Sequence, residues 1–336
     1  MNITRCPSCL KPNHSEFCIP CRKKLFGGKR VSPVLSFSRP EYNYRRASHG
    51  ERISISGIQS KYSLKLKGTT LELTESDGEY ILKPALTGDF INMSDMPSNE
   101  HVTMQLAKQI FGLHTAENAL VFFRDDDTPA YLTKRFDVKA NGSKLLQEDF
   151  AQIAQVSEES GGKSYKYDYS YEKIASLMKK HVSTYPVELE KFFKIIVFNY
   201  LIHNGDAHLK NFSLYFNEAI DSYTLTPAYD LLNTRLHLPH DSALALDLFE
   251  DGFESESYQK NGYYTYDDFY EFGIRIGILP SRVERFTNEF FNKADKIKAL
   301  IDISFIGTPL KSLYATMVDE RIKALSYSYR KSVMKK

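Results

Sequence analysis

From about Arg52 to Ala140 apolar and polar residues largely alternate, the period of half-buried strands. The clearest stretch, "YSLKLKGTTLEL", reverses around Gly68, and "GEYILKPAL" and "AYLTKRFDV" predict further strands. One segment breaks the rule. Val102, Leu106 and Ile110 recur every fourth residue, predicting a helix over 99–111 with Ser98 as N-cap and Gly112 as stop. From about residue 146 the helical period takes over, and helices are predicted over roughly 146–156, 171–182, 188–203, 266–277, 282–300 and 308–327. The pattern is that of an α+β protein in which a β-rich lobe with one helix precedes a mainly helical lobe. Ligands are then expected in the cleft between lobes. Residues 27–51 mix Gly, Pro, Ser and Arg without a period and read as a basic linker or docking arm. The expected organisation is 1–26 a four-cysteine segment, 27–51 the arm, 52–140 the β-rich lobe and 141–336 the helical lobe.

Composition narrows the class. The 336 residues are 42% hydrophobic, 13% aromatic and 26% charged, which fits a globular protein and excludes a disordered or collagen-like one. With 44 Lys and Arg against 42 Asp and Glu the chain is no polycation. Its charge is nevertheless uneven: the first fifty residues hold ten basic side chains and two acidic ones. That surplus suits a nucleic acid, an acidic protein surface or a solvated arm. The longest apolar run, Phe192 to Ile202, is interrupted by Lys194 and Asn199 and is too short to span a bilayer. Met1 to Cys9 carry no apolar signal core, so a cytoplasmic protein is expected.

All four cysteines fall in "CPSCLKPNHSEFCIPC". Two CxxC turns, Cys6 with Cys9 and Cys18 with Cys21, present four thiolates to one tetrahedral cation, which points to structural Zn²⁺. With four protein ligands no position is left for water, so the site reads as a folding staple. Two reducible thiol pairs or a metal-free knuckle are the alternatives, and His14 is a further candidate donor.

The strongest chemical pattern is "NGDAHLKN", Asn204 to Asn211, followed by "TPAYD" ending at Asp230. Phosphoryl transfer needs a carboxylate to orient the attacking hydroxyl and oxygen ligands for Mg²⁺ on the nucleotide phosphates. Asp206 and Asn211 have the five-residue separation of the base and the metal-binding Asn in a protein-kinase catalytic loop. Asp230 then takes the second metal role. Lys83 in "YILKPA" and Glu100 in "NEHVTMQLAK" fit a phosphate-binding strand lysine steadied by a helix glutamate. Taken singly, each residue also has a structural reading: His208 a core histidine, Lys83 a solvated strand lysine, Glu100 a partner of the helix dipole.

"SISGIQSK", "YILKP", "NEH", "TKRFDV", "LLQEDF", "NGDAHLKN" and "TPAYDLLNT", in this order over roughly 52–330, resemble the HipA family of bacterial serine/threonine kinases, the toxins of toxin–antitoxin modules. The resemblance implies a bilobal protein-kinase-like fold and a site for ATP and Mg²⁺. Ser56, Gly57, Ile58, Gln59, Ser60 and Lys61 would form the phosphate loop and Lys83 the phosphate lysine with Glu100. Lys134, Arg135 and Phe136 would form the adenine hinge, with Asp137 at the ribose. Asp206 would be the catalytic aspartate, with His208, Lys210 and Asn211 completing its loop. Asn211 and Asp230, beside Tyr229, would hold Mg²⁺. Ser54 and Ser56 match the autophosphorylated serine of the family. The implied partners are a protein substrate such as an aminoacyl-tRNA synthetase, a HipB-like helix-turn-helix antitoxin that links the kinase to DNA, and a separate HipS-like protein. The last follows from the short segment before Ser54, which resembles the HipT branch. A small-molecule phosphotransferase and a non-catalytic corepressor are the alternative functions.

Overall fold

A computed structural model describes residues 3–48, 61–85, 91–139 and 141–330. The chain divides into two compact units: Met1–Gln105, Ala116–Lys144 and Asp302–Gly307 form the first, and Leu106–Thr115, Leu145–Ile301 and Thr308–Lys336 the second.

The first unit contains α1 (Ile19–Phe26), α2 (Arg39–Ser48), strands β1 (Tyr62–Lys67), β2 (Thr70–Leu73) and β3 (Tyr80–Pro84), helix α3 (Met96–Gln105), β4 (Asn118–Phe122) and β5 (Pro129–Lys134). The strands form one antiparallel sheet in the order β2-β1-β3-β5-β4. Every residue of β4, "NALVF", is buried, the unbroken apolar run of a strand covered on both faces. Ala119, Val121, Leu82 and Leu132 pack against Phe17, Leu25, Phe26 and Leu35 of the cysteine-bearing head. Leu120 and Phe122 point the other way, toward Ile3 and Phe305. Each large apolar side chain so covered contributes about 2 kcal/mol of transfer free energy.

Residues expected as a linker or docking arm lie along the sheet. Leu35 N–H donates to Phe122 O and Phe122 N–H to Pro33 O, both at 2.8 Å, so the outer edge of β4 is paired rather than open. The head's own helix, α1, stops at Gly27 because "KLFGG" supplies a residue that enters the left-handed region, φ 61°, without a Cβ penalty.

Helix α3 starts at Met96, earlier than the sequence predicts, so Ser98 sits inside it. A short 3-10 turn, Met93–Asp95, feeds straight into it, and after Gln105 the chain continues as a π-helical turn, Leu106–Ile110. All ten residues of α3 are buried. The second unit holds β6 (Gln147–Asp149), α4 (Phe150–Ile153), α5 (Glu158–Gly161), α6 (Tyr171–His181), α7 (Tyr185–Leu201), β7 (Ser213–Asn217) and β8 (Ser222–Leu225). It ends with α8 (Glu256–Asn261), α9 (Tyr266–Arg275), α10 (Pro280–Asn288), α11 (Ala294–Asp302) and α12 (Thr308–Ser326). The helix expected over 146–156 is instead strand β6, paired with β7, then a single turn that begins where Asp149 and Gln152 form a capping box. The helix expected over 282–300 is broken, with Asn292 in the left-handed region at φ 56° and Phe290 driven into the core. Apolar periodicity cannot register such a break, since both halves bury the same face. Among the described residues no helix is long and apolar enough to cross a membrane.

Candidate functional site

In the second unit the loop after α7 gathers "NGDAHLKN" and "TPAYDLLNT". Asn204 donates from Nδ2 to Asn199 Oδ1 at 3.0 Å, and Gly205 N–H donates to Thr234 Oγ1 at 3.0 Å. Thr234 lies in turn against the Asp241 carboxylate. A Cβ on Gly205 would overlap that carboxylate, which is why glycine stands in this motif. The last residue of the second motif therefore holds the backbone of the first.

Asp206 presents a half-exposed carboxylate whose Oδ1 accepts the Tyr167 hydroxyl at 2.6 Å and lies 3.7 Å from His208 Nε2. Burial, followed by the bond to Asp206, pushes the Tyr167 phenol well above its ordinary range, so it stays a donor. Burial also pushes the His208 imidazole down to about 4, outweighing the pull of Asp206. His208 is thus neutral near pH 7, and its ring stacks edge-on with Tyr167 at 5.2 Å. Asn211 donates from Nδ2 to the Asp206 carbonyl at 2.6 Å. Because a carbonyl only accepts, the amide orientation is determined and Oδ1 is the end left for a cation. Asp230 lines one pocket with Asn199, Asn204 and Asn211. Its backbone is left-handed, φ 54°, a strained conformation for a residue with a side chain and one concentrated at functional sites. Tyr229 donates to Lys210 O at 3.0 Å and meets Ser213 Oγ at 2.6 Å, tying the two motifs a second time. The structure thus brings together Asp206, His208, Lys210, Asn211, Tyr229 and Asp230.

Tyr167 is the residue that sequence reading missed. It stands in "YKYDYSY", where four tyrosines in seven residues were the available signal, but no spacing relates them to Asp206.

In the first unit Lys83 Nζ meets Glu100 Oε1 at 2.5 Å, with both side chains almost fully buried. Lys83 pairs in register with Tyr131 and lies over its ring, 5.4 Å from the centroid. Of the expected hinge, Lys134 N–H donates to Glu117 O and Arg135 N–H to Glu79 O. The Arg135 guanidinium holds Asp137 through two bonds, 2.5 and 2.9 Å, so that carboxylate has a partner within the protein. Phe136 lies between them. Lys61 directly precedes β1. Ser54, Ser56, Gly57, Ile58, Gln59 and Ser60 lie outside the described residues.

The four cysteines also converge. Their sulfur atoms all lie within 4.8 Å of one another, none of the four is in a disulfide, and Cys9 Sγ is 3.6 Å from Cys18 Sγ. Tetrahedral zinc with Zn–S near ~2.3 Å requires S···S separations of about 3.8 Å. Hydrogen bonds from Cys21 and Cys9 pull the Cys6 thiol far below its ordinary value, while the hydrogen bonds Cys21 makes with Cys6 and Cys9, and then burial, push Cys21 far up. Four sulfurs this close ionise together only around a cation, and the donor set fits one soft dication.

Residues 53–297 match the model of the HipA-like C-terminal domain. The chain belongs to the HipA-like family. One relative, named "Putative kinase", from Haemophilus influenzae, is 29% identical over 299 residues, 85% of each chain. A serine/threonine-protein kinase toxin HipA from Shewanella oneidensis is 25% identical over 224 residues, 61% of this chain and 48% of the relative. Among solved structures, HipA of Shewanella oneidensis, in a complex with HipB and operator DNA, superposes with a TM-score of 0.64 at 21% identity. The match covers 85% of this chain and 71% of that one. The Helicobacter pylori proinflammatory kinase CtkA gives 0.52 at 18% identity, over 82% and 91%. The HipA-like chain thus has a kinase-like α+β fold, as expected.

Proposed function

We propose that this HipA-like protein is a Mg²⁺- and ATP-dependent serine/threonine protein kinase. The observation that carries the reading is the arrangement around Asp206: an accessible carboxylate, fixed by Tyr167, with the Asn211 amide pinned so that its oxygen is presented beside Asp230. Asp206 orients the attacking hydroxyl and takes its proton. His208, neutral and buried, limits the room the carboxylate has to swing. Asn211 Oδ1 and Asp230 are the residues that would hold Mg²⁺, which neutralises phosphate charge when bound. Lys83, held by Glu100, is the phosphate cation of the first unit. The relatives named as kinases support this assignment.

The same reading extends to its setting. Cys6, Cys9, Cys18 and Cys21 hold structural Zn²⁺. The fold shared with HipA of a HipA–HipB–DNA complex supports a HipB-like antitoxin as partner and DNA association through it. A HipS-like protein is a second partner, and an aminoacyl-tRNA synthetase is the proposed class of target. Phosphate on Ser54 or Ser56, which adds about −1.5 to −2 charge, limits the enzyme's own activity.

The test is incubation of the purified chain with labelled ATP and cell lysate, using wild type, Asp206→Asn and Asp230→Ala. Label on protein seryl or threonyl groups with wild type alone supports the proposal. Label only on small molecules points to a metabolite phosphotransferase. ATP binding without any transfer makes the chain a binding module and refutes the kinase.

A further inference from the structure

The head of this chain does more than close a metal site. The turn between Cys6 and Cys9 makes three hydrogen bonds to its surroundings, two to β4 and one to α3, the helix that carries Glu100. Leu120 N–H donates to Pro7 O at 2.9 Å, Ser8 Oγ donates to Asn118 O at 2.8 Å, and His101 Nε2 meets Ser8 O at 2.7 Å. His101 directly follows Glu100 in α3 and is fully buried. Because its acceptor is a carbonyl, Nε2 carries the proton, and Nδ1 has no hydrogen-bond partner among the described residues. The imidazole is therefore held by one bond, to the metal-binding turn. Burial pushes it down to about 4, so it remains the neutral tautomer near pH 7.

The geometry of the helix turns this bond into a lever. His101 and Gln105 are four residues apart and share one face of α3. Gln105 Nε2 donates to Asn118 Oδ1 at 2.9 Å, so both residues of that face are tied, directly or through Asn118, to Ser8. Glu100 sits about 100° around the helix from His101 and reaches Lys83. The rotation of α3 about its axis is set on the first face and read out on the second.

We propose that the four-cysteine head positions the catalytic ion pair: the metal-held Cys6–Cys9 turn, through Ser8 and His101, fixes the rotation of α3 that places Glu100 on Lys83. His101 is a positioning residue, since it touches no reacting group. The inference deepens the kinase reading and rests on it for its consequence, but its structural content is measurable without activity.

The experiment uses the full chain, with zinc content measured directly, and compares untreated protein, chelator-treated protein, His101→Leu and His101→Gln. Amide hydrogen exchange of the peptide spanning α3 is followed without nucleotide. Chelation is expected to release one zinc per chain and to speed exchange in α3 by about tenfold, the equivalent of one lost buried hydrogen bond. His101→Leu should give the same acceleration with zinc retained. In the transfer assay it should lower kcat about tenfold with KM for ATP within about twofold, because α3 alignment acts on transfer more than on binding. His101→Gln, which keeps an N–H donor, should recover most of both. The proposal is overturned if the chain carries no metal, if chelation loosens residues 3–30 and leaves α3 unchanged, or if His101→Leu leaves α3 exchange unaltered. Absence of transfer by wild type, with the exchange pattern as expected, would defeat the kinase reading and leave the coupling standing.

Discussion

Removing one member of the Lys83–Glu100 pair should cost more stability than removing both. The two side chains are 3% and 2% exposed, and the ion pair closes at 2.5 Å. Lys83→Met takes the ammonium from the Glu100 carboxylate, and Glu100→Met the carboxylate from the Lys83 ammonium, where both side chains are almost fully buried. A buried charge that loses its partner costs about 3–5 kcal/mol, whereas an exposed pair is worth at most about 1. For a unit the size of the first, about 140 residues, that loss lowers its melting temperature by about 10–17 °C. The double variant Lys83→Met with Glu100→Met has no charge to strand and two apolar side chains of suitable length. It should melt within a few degrees of wild type while transferring no phosphate. The assay is calorimetric unfolding of all four proteins, with hydrogen exchange of β3 and α3 assigning the transition to the first unit, since two-unit proteins need not unfold in one step. If each single variant loses less than about 1 kcal/mol, the pair behaves as a solvated one and the role given to Lys83 fails with it. A double variant less stable than either single would refute the electrostatic account outright.

Other outcomes follow from the second unit. Tyr167→Phe removes one hydrogen bond to an ionised carboxylate and should lower kcat about tenfold or more, with ATP affinity unchanged in a binding titration. Gly205→Ala should destabilise by about 1–3 kcal/mol by forcing a Cβ against Asp241, and pairing it with Asp241→Ala should recover part of the loss in thermal unfolding. His203, buried and flanked by Arg321 and Arg235, is pushed down to about 3. Its folded value lies below the unfolded one near ~6.5, so its contribution is intact above that pH and is lost as pH falls toward about 3. Urea midpoints should therefore drop between pH 7 and 4.5, and His203→Gln should flatten that slope.

How much of this was legible depended on whether neighbours in sequence or in space decide the structure. Asp206, Asn211 and Asp230 could be read because spacing within one loop and one following turn is a local property, and the loop does pin Asn211 to Asp206. Lys83 and Glu100 are 17 residues apart and were found through their chemistry, while the boundary of their helix was misplaced. Helix α3 buries Asn99, Glu100, His101, Thr103 and Gln105 along with its apolar residues, so it has no solvent-facing polar stripe to mark its extent, and Ser98 reads as a cap although it lies inside the helix. Strand β6 was hidden for a different reason. "QED" has neither branched nor aromatic residues, and only its register with Tyr215, Leu214 and Ser213 makes it a strand. Nothing local in "CPSC" indicates that Ser8 bonds to His101, 93 residues away.

The sheet of the first unit is apolar on both sides, and one of those sides is roofed by apolar residues between Cys6 and Tyr42. Such a head is unlike the detachable modules that evolution shuffles by gene fusion. Excising it would leave Leu82, Val121 and Leu132 facing water and the rim of β4 ready to recruit a stray strand, a recipe for insoluble protein. Grafting it elsewhere would take along side chains that have nowhere to insert. The cysteine-bearing head and the sheet beneath it therefore share one core, and cutting between them should yield two sticky fragments instead of two domains.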